Sequence, residues 1–263
     1  MSPIVGLDEL PEVGPAALCM GVFDGVHLGH RALAERTVGL AEPGLASVAL
    51  LFDPPPIEVI RPDQVVPRVA PPGENLRRLA AAGIRHPIGL RFTELLRQLP
   101  PDAFLAALAP AIDLRVLVLT PDSAFGHGRA GTPDAMRALG AEVGFEVVVL
   151  DALVEVDGAV VSSSRVRAAI ANGDIGLAIR LLGEPPSLVG SVEADGSMRF
   201  DYLPTLPPPG TYTGRARRAA ADDDPPRAVV LVVAPDGGVR LIDRDAAWGS
   251  GEVRVDVTGR RPE

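Results

Sequence analysis

The chain has no lysine: all 25 of its basic side chains are arginine. A phosphate loop built on a lysine is therefore excluded. Any positive or donor group offered to a phosphate must be an arginine, a backbone N–H or a histidine. There is one cysteine, Cys19, so no disulfide forms within the chain and no metal-ligand spacing is available. A reducing cytoplasm fits this usage. No apolar run approaches the length of a membrane span, and the N-terminus lacks the basic-then-apolar order of a secretory signal. Acidic residues exceed basic ones, giving a formal net charge of −9, so the broad basic face of a nucleic-acid binder is not expected. Nucleotides stay open as ligands, because a pocket needs only a few local cations. With 263 residues, 47% of them hydrophobic, the chain has the composition of a soluble globular protein and room for one large or two modest domains.

Histidine is also scarce, and two of the four fall in one stretch, Gly21-Val22-Phe23-Asp24-Gly25-Val26-His27-Leu28-Gly29-His30. The apolar run Ala16 to Met20 before it reads as a buried strand; Leu28, Ala32, Leu33 and Val38 come after it at helical spacing. The stretch is thus a tight strand-to-helix turn. Gly21, Gly25 and Gly29 let the backbone come close to a ligand. The free N–H groups of the first helical turn can receive a phosphate. His27 and His30 project from one face of that turn, each able to donate a hydrogen bond to a phosphate oxygen. Asp24 reads equally as a turn-fixing acceptor of backbone N–H bonds and as a ligand group.

Strands and helices alternate from there. Ala46 to Phe52 reads as a strand ended by Asp53-Pro54-Pro55-Pro56, Glu74 to Ala82 as a helix, Pro87 to Leu90 as a strand and Pro101 to Leu108 as a helix with proline at its start. Leu114 to Leu119 is the next strand. A helix capped by Thr132 comes next, then a strand at 146–150. Ser162-Ser163-Ser164-Arg165-Val166-Arg167 opens another helix, where hydroxyls can cap N–H groups or hold phosphate oxygens and Arg167 can make a forked phosphate contact. Ile175 to Leu182 is the last helix. Alternation of this kind predicts an α/β fold, a Rossmann-like doubly wound parallel sheet, with ligands at the carboxyl ends of the strands. From about Pro185 helical periodicity stops. Short alternating segments at 187–192, 211–214, 227–234, 239–243 and 252–257 predict a second, smaller antiparallel β-barrel. The expected domains are 1–185 and 186–263.

Gly21 to His30 resembles the HxGH signature of the nucleotidylyltransferases, and in its longer form, GxFDGxHxGH, that of the bacterial FAD synthetases, the bifunctional riboflavin kinase/FMN adenylyltransferases. Ser162 to Arg167 resembles the second signature of that superfamily. A third stretch, Thr120-Pro121-Asp122-Ser123-Ala124-Phe125-Gly126-His127-Gly128-Arg129-Ala130-Gly131, resembles the family's flavin-side pattern, with Thr120 and Ser123 replacing a glycine and a phenylalanine and Pro55 replacing a histidine upstream. The resemblance implies transfer of AMP from ATP to FMN, forming FAD. It implies His27, His30 and Arg167 as catalytic groups; Gly21, Phe23, Asp24, Gly25, Gly29, Ser163 and Ser164 as nucleotide-binding; and Asp53, Pro55, Asp122, Phe125, Gly126 and Arg129 on the flavin side. Magnesium would come with the ATP, and no residue is expected to hold a resident metal. ATP and FMN are the expected partners, with no nucleic acid or membrane. A flavin analogue or another phosphorylated acceptor is the alternative within the class, and a flavin- or nucleotide-binding pseudoenzyme the alternative outside it.

The tail resembles the family's riboflavin-kinase barrel in eroded form. Pro204-Thr205 matches, but the magnesium-ligand asparagine falls on Pro207 and the catalytic glutamate on Gly238; the chain ends before the family's closing helix. No kinase activity is expected. Asp236 could stand in by sharing the strand face of residue 238, whereas Asp243 would point to the other face.

Overall fold

The computed structural model describes residues 4–41, 43–219, 225–242, 248 and 251–262. The chain divides into two compact units, Met1–Val65 with Asn75–Val160, and Val66–Glu74 with Val161–Glu263. The sequence draws its functional line at 185/186; compactness draws the line at 160/161 and takes 66–74 into the second unit.

The first unit is built on six parallel strands: β1 (Ile4–Val5), β2 (Gly14–Gly21), β3 (Ala46–Asp53), β4 (His86–Arg91), β5 (Ile112–Leu119) and β6 (Glu146–Val149). Their order across the sheet is β1-β4-β3-β2-β5-β6, every pair parallel. The strands are near-continuous apolar runs because both faces are covered. Ala16 and Leu18 of β2 join Val48, Leu50 and Phe52 of β3 in one core; Ala17, Cys19, Ala49 and Leu51 alternate into the other. Helices α1 (Leu28–Leu40) and α3 (Pro72–Ala81) supply Leu33, Ala34, Leu76 and Leu79 to the second core. Helices α5 (Pro101–Leu108) and α6 (Pro133–Val143) supply Phe104, Leu105, Leu108 and Met136 to the first. Each fully buried leucine contributes about 1.5–3 kcal/mol relative to exposure. Thr132 caps α6 as expected, its side chain accepting the Ala135 N–H. Two five-residue helices, α2 (Pro56–Ile60) and α4 (Glu94–Gln98), and a hairpin of β7 (Glu155–Val156) with β8 (Ala159–Val160), were not expected.

The second unit holds α7 (Ser163–Ala171), α8 (Ile175–Leu182) and the strands β9 (Ser187–Val192), β10 (Met198–Arg199), β11 (Gly210–Arg218), β12 (Arg227–Val233), β13 (Val239–Ile242) and β14 (Glu252–Arg260). The antiparallel order is β10-β9-β14-β11-β12-β13, and a bridge between Ser197 and Arg240 brings the two ends together, so the sheet is a nearly closed barrel. Leu188, Tyr212, Leu231, Leu241, Val253 and Val255 fill its interior. Both layers match the fold class read from the sequence.

One expectation is corrected. Residues 236–238 form the turn between β12 and β13 rather than part of a strand: the Gly237 N–H donates to the Ala234 carbonyl, and the Gly238 N–H to Asp236 Oδ1 at 2.9 Å. A shared strand face for Asp236 and residue 238 therefore does not exist, because parity arguments hold only where the pleat is continuous. Asp243 lies outside the described residues.

Candidate active site

Strands β2 and β5 are neighbours, yet β3 and β4 lie beyond β2 while β6 lies beyond β5. This is a topological switch point, where open α/β sheets take ligands outside the carboxyl ends of their strands. The loops leaving β2 and β5 flank it. They are the Gly21–His30 turn and the Thr120–Gly131 stretch, so the structure brings the first and third sequence motifs to one end of one sheet.

The first turn is strained. Phe23 and Val26 have φ of 51° and 45°, with Gly25 at 79° between them. Positive φ at a β-branched residue is an outlier. Each such non-glycine residue costs about 1–3 kcal/mol and persists only where its surroundings over-determine it. Both side chains are fully buried, which anchors the turn into the sheet core. Asp24 is buried as well, at 5% exposure, which fits the turn-fixing half of its two readings.

His27 is the N-cap of α1. Its backbone is extended (φ −65°, ψ 173°), and its Nδ1 accepts the His30 N–H in a long bond of 3.4 Å. With Nδ1 accepting, the proton of neutral His27 sits on Nε2, which becomes the donor. The two imidazoles stack with centroids 3.7 Å apart, and Phe23 meets His30 edge-on at 5.1 Å. Burial pushes His27 down to about 4. Burial first, and then the neighbouring His27, hold His30 well below the ordinary histidine range. Both rings are therefore neutral at pH 7. His30 Nδ1 is buried with no hydrogen-bond partner. A buried polar atom in that state destabilises a scaffold and suits a site that completes itself with a ligand. Cys19, close by in β2, is no nucleophile: burial pushes its thiol up to about 12.

In the stretch after β5, the two departures from the family pattern bond to each other. The Thr120 N–H donates to Ser123 Oγ at 2.9 Å, and Thr120 Oγ1 lies 2.7 Å from Asp122 Oδ1 and 2.8 Å from Ser123 Oγ. Asp122 is thereby held at the exposed mouth of the loop. Phe125 is half-buried at the end of an aromatic chain through Phe104 (6.1 Å) and Phe52 (6.3 Å) to Phe92 (5.6 Å). Gly126, at φ 71°, could not carry a side chain, since a Cβ would come within 2.8 Å of Pro101 Cγ. The loop then turns out, leaving Arg129 exposed at a left-handed φ of 60°. Asp53 ends β3 at the same edge, its carbonyl accepting the Phe92 N–H, and Pro55 caps the short α2.

The Ser162–Arg167 stretch belongs to the second unit and comes after the β7–β8 hairpin. Ser162 Oγ accepts the Arg165 N–H at 3.2 Å, so α7 is N-capped as read. Ser163 and Ser164 occupy its first turn, and Arg167 donates to Ser164 Oγ at 3.0 Å.

Two buried side chains outside every sequence motif also reach this turn. Asn75 and Arg78 of α3, each only 3% exposed, both bond to the backbone of Gly25 in the histidine turn. Their signal was present: two polar residues flank Leu76 and Leu79 on the buried side of an amphipathic helix.

A family model described as FAD synthetase matches residues 11–165. The chain belongs to the FAD synthetase family. Among relatives, the bifunctional riboflavin kinase/FMN adenylyltransferase of Escherichia coli K12 is 34% identical over 194 residues, 72% of this chain and 60% of that protein's length. A Listeria monocytogenes protein named FAD synthetase is 30% identical over 75% of this chain and 80% of its own length. The match to the bifunctional E. coli relative thus spans about three-fifths of that protein. Among solved structures, a crystal structure described as the macrolide-efflux protein of Streptococcus pneumoniae superimposes with a TM-score of 0.81 over 98% of this chain and 91% of that one, at 22% identity, a likeness of fold alone. Within the FAD synthetase family match lie the two histidines and every acceptor-side residue singled out above.

Proposed function

We propose that this chain transfers the adenylyl group of ATP to FMN, forming FAD and pyrophosphate, and that it has no riboflavin kinase activity. A phosphate oxygen of FMN attacks the α-phosphorus of ATP in line; a new P–O bond forms as the bond to the β-phosphate oxygen breaks and the electron pair leaves with pyrophosphate. No covalent intermediate with the protein is involved, so positioning and charge stabilisation carry the rate. His27 donates a hydrogen bond from its Nε2–H to a phosphate oxygen. With its Nδ1 unpaired, His30 can place its ring proton there and do the same. As neutral donors they keep these roles across the neutral pH range. Ser163, Ser164 and Arg167 are assigned to the phosphates, and Asp53, Pro55, Asp122, Phe125, Gly126 and Arg129 to the flavin, on sequence resemblance. Magnesium would enter with the ATP substrate and supply charge neutralisation at its phosphates. Among the described residues no group of three His, Cys, Asp or Glu side chains is placed to hold a metal, and no residue is assigned to one. In this reading 1–185 is the adenylyltransferase half, 186–263 an eroded kinase-like half, and the protein works in the cytoplasm.

The observation that carries the reading is the strained two-histidine turn at the switch point, with the unpaired His30 Nδ1 inside it. Titration with FMN, monitored by flavin fluorescence in the presence of a non-hydrolysable ATP analogue, tests the acceptor. Saturable quenching is expected. Its absence at high micromolar protein would move the acceptor to another phosphate ester, which pyrophosphate exchange across a panel of phosphorylated compounds would identify.

A further inference from the structure

We infer that Asn75 and Arg78 are positioning residues: together they clamp the Gly25 peptide and so fix the turn that carries His27 and His30. The inference rests on the role proposed above for that turn. The Gly25 N–H donates to Asn75 Oδ1 at 2.9 Å, and the Gly25 carbonyl accepts from Arg78 Nη1 at 2.8 Å. One peptide residue is thus held at both of its polar groups by side chains three residues apart on one face of α3. All four groups are buried from solvent, so no water replaces either bond.

The clamp sits at the point where the backbone most needs one. Gly25 is left-handed, and so are Phe23 and Val26 beside it. A turn with three positive φ values in four residues relaxes unless its peptides are held in place. The start of α1 depends on this turn directly. The Val26 carbonyl accepts from Arg31 Nε at 3.3 Å, the His27 carbonyl opens α1 by accepting the Arg31 N–H at 2.9 Å, and the histidine rings stack in this arrangement of residues 23–30. Rotation of the Gly25 peptide would carry both imidazoles away from their places. Neither Asn75 nor Arg78 belongs to a sequence motif of the site, and neither needs to touch a substrate.

The test uses paired variants of the full chain and two readouts. Asn75→Leu keeps the volume and removes the acceptor, while Asn75→Asp keeps an acceptor. Arg78→Met removes the donor, while Arg78→Lys keeps one. The first readout is the ring-proton NMR signals of His27 and His30, displaced in the parent by stacking at 3.7 Å. The second is steady-state formation of FAD. Asn75→Leu and Arg78→Met should shift the histidine signals toward unstacked values and lower kcat by about 10- to 100-fold with KM for ATP little changed, the effect of displacing a catalytic group by up to about 1 Å. Asn75→Asp and Arg78→Lys should recover most of both. A folded Asn75→Leu or Arg78→Met protein with parental histidine signals would overturn the clamp. If the signals shift but turnover does not, the clamp stands and the catalytic reading of the turn fails. In the parent, the Gly25 amide should be among those slow to exchange with deuterium. Exchange at the rate of an open loop amide would overturn the inference even if no variant folds.

Discussion

The two units of this protein bury polar side chains to opposite ends. In the barrel unit the buried ions pair with one another. Arg254 holds Asp256 through Nε at 2.9 Å and Nη2 at 3.2 Å, reaches Glu74 at 3.7 Å, and Ser187 donates to Asp256 at 2.7 Å. In the α/β unit Asp24, His27, Asn75 and Arg78 are buried around a single turn that is strained and leaves His30 Nδ1 without a partner. A closed network is what a scaffold needs; strain with an unpaired atom is what a site retains. The barrel unit has its own exceptions: Arg217, which reaches Asp256 through Nη2 at 3.6 Å, buries its Nε without a hydrogen-bond partner, and Thr205 Oγ1 is buried and unpaired beside a small pocket bordered by Pro207 and Val257.

The largest effect should come from breaking the closed network. Arg254→Met takes the shared cation from Glu74 and from Asp256, which keeps Arg217 at 3.6 Å, and a loss of about 3 kcal/mol, the low end for a broken buried pair, is expected in denaturant unfolding. Turnover per folded molecule should be unaffected. The converse change is His27→Ala. Removing one charge-stabilising donor should lower FAD formation by about 10- to 1000-fold while moving the unfolding midpoint less than Arg254→Met does. If the two substitutions exchange their effects, the contrast between the units is misread.

A smaller effect is expected from acid. His27 is pushed down to about 4 from 6.5, so within that window the unfolded chain binds a proton that the folded chain refuses. Stability is therefore full above pH 6.5 and falls as pH falls toward 4, by at most about 1.4 kcal/mol per pH unit for this one group. His30, held low for the same reason, acts in the same direction. Melting temperatures measured from pH 7 to 4 should drop less steeply in His27→Gln than in the parent; equal slopes would mean the ring is not shielded.

The smallest effect is no change at all, in the barrel. Riboflavin, ATP and magnesium should yield no FMN, and Thr205→Val should leave that result as it is. With proline at 207 and glycine at 238, neither position has a side chain to act as metal ligand or base. The Asp236 carboxylate is engaged by the turn that contains it. FMN appearing at ordinary enzymic rates, and lost in Thr205→Val, would show that the unpaired hydroxyl marks a second working site.

Much of the fold was legible because local chemistry and tertiary fate agree. Pro101 at its start and Gly183 past its end bracket α5 and α8, and both helices run residue for residue where the sequence placed them. The five-residue α2 and α4 gave no periodicity to read, and the two-residue β10 no alternation. The histidine turn was legible as a motif, but its strain was not, since nothing local predicts positive φ at Phe23 or Val26. The Asn75–Arg78 clamp was not legible because each side chain finds its partner about fifty residues away in sequence. Asp236 lies on a turn, where strand parity does not hold, so its place relative to residue 238 is not legible from spacing.

The central claim is that the His27–His30 turn adenylylates FMN. Full-length protein incubated with FMN, ATP and magnesium, with FAD measured by chromatography, tests it most directly when run beside His30→Ala. FAD should accumulate with the parent, with pyrophosphate in equal amount, and about 10- to 1000-fold more slowly with the variant. No FAD from the parent, or equal rates from both proteins, would contradict the account.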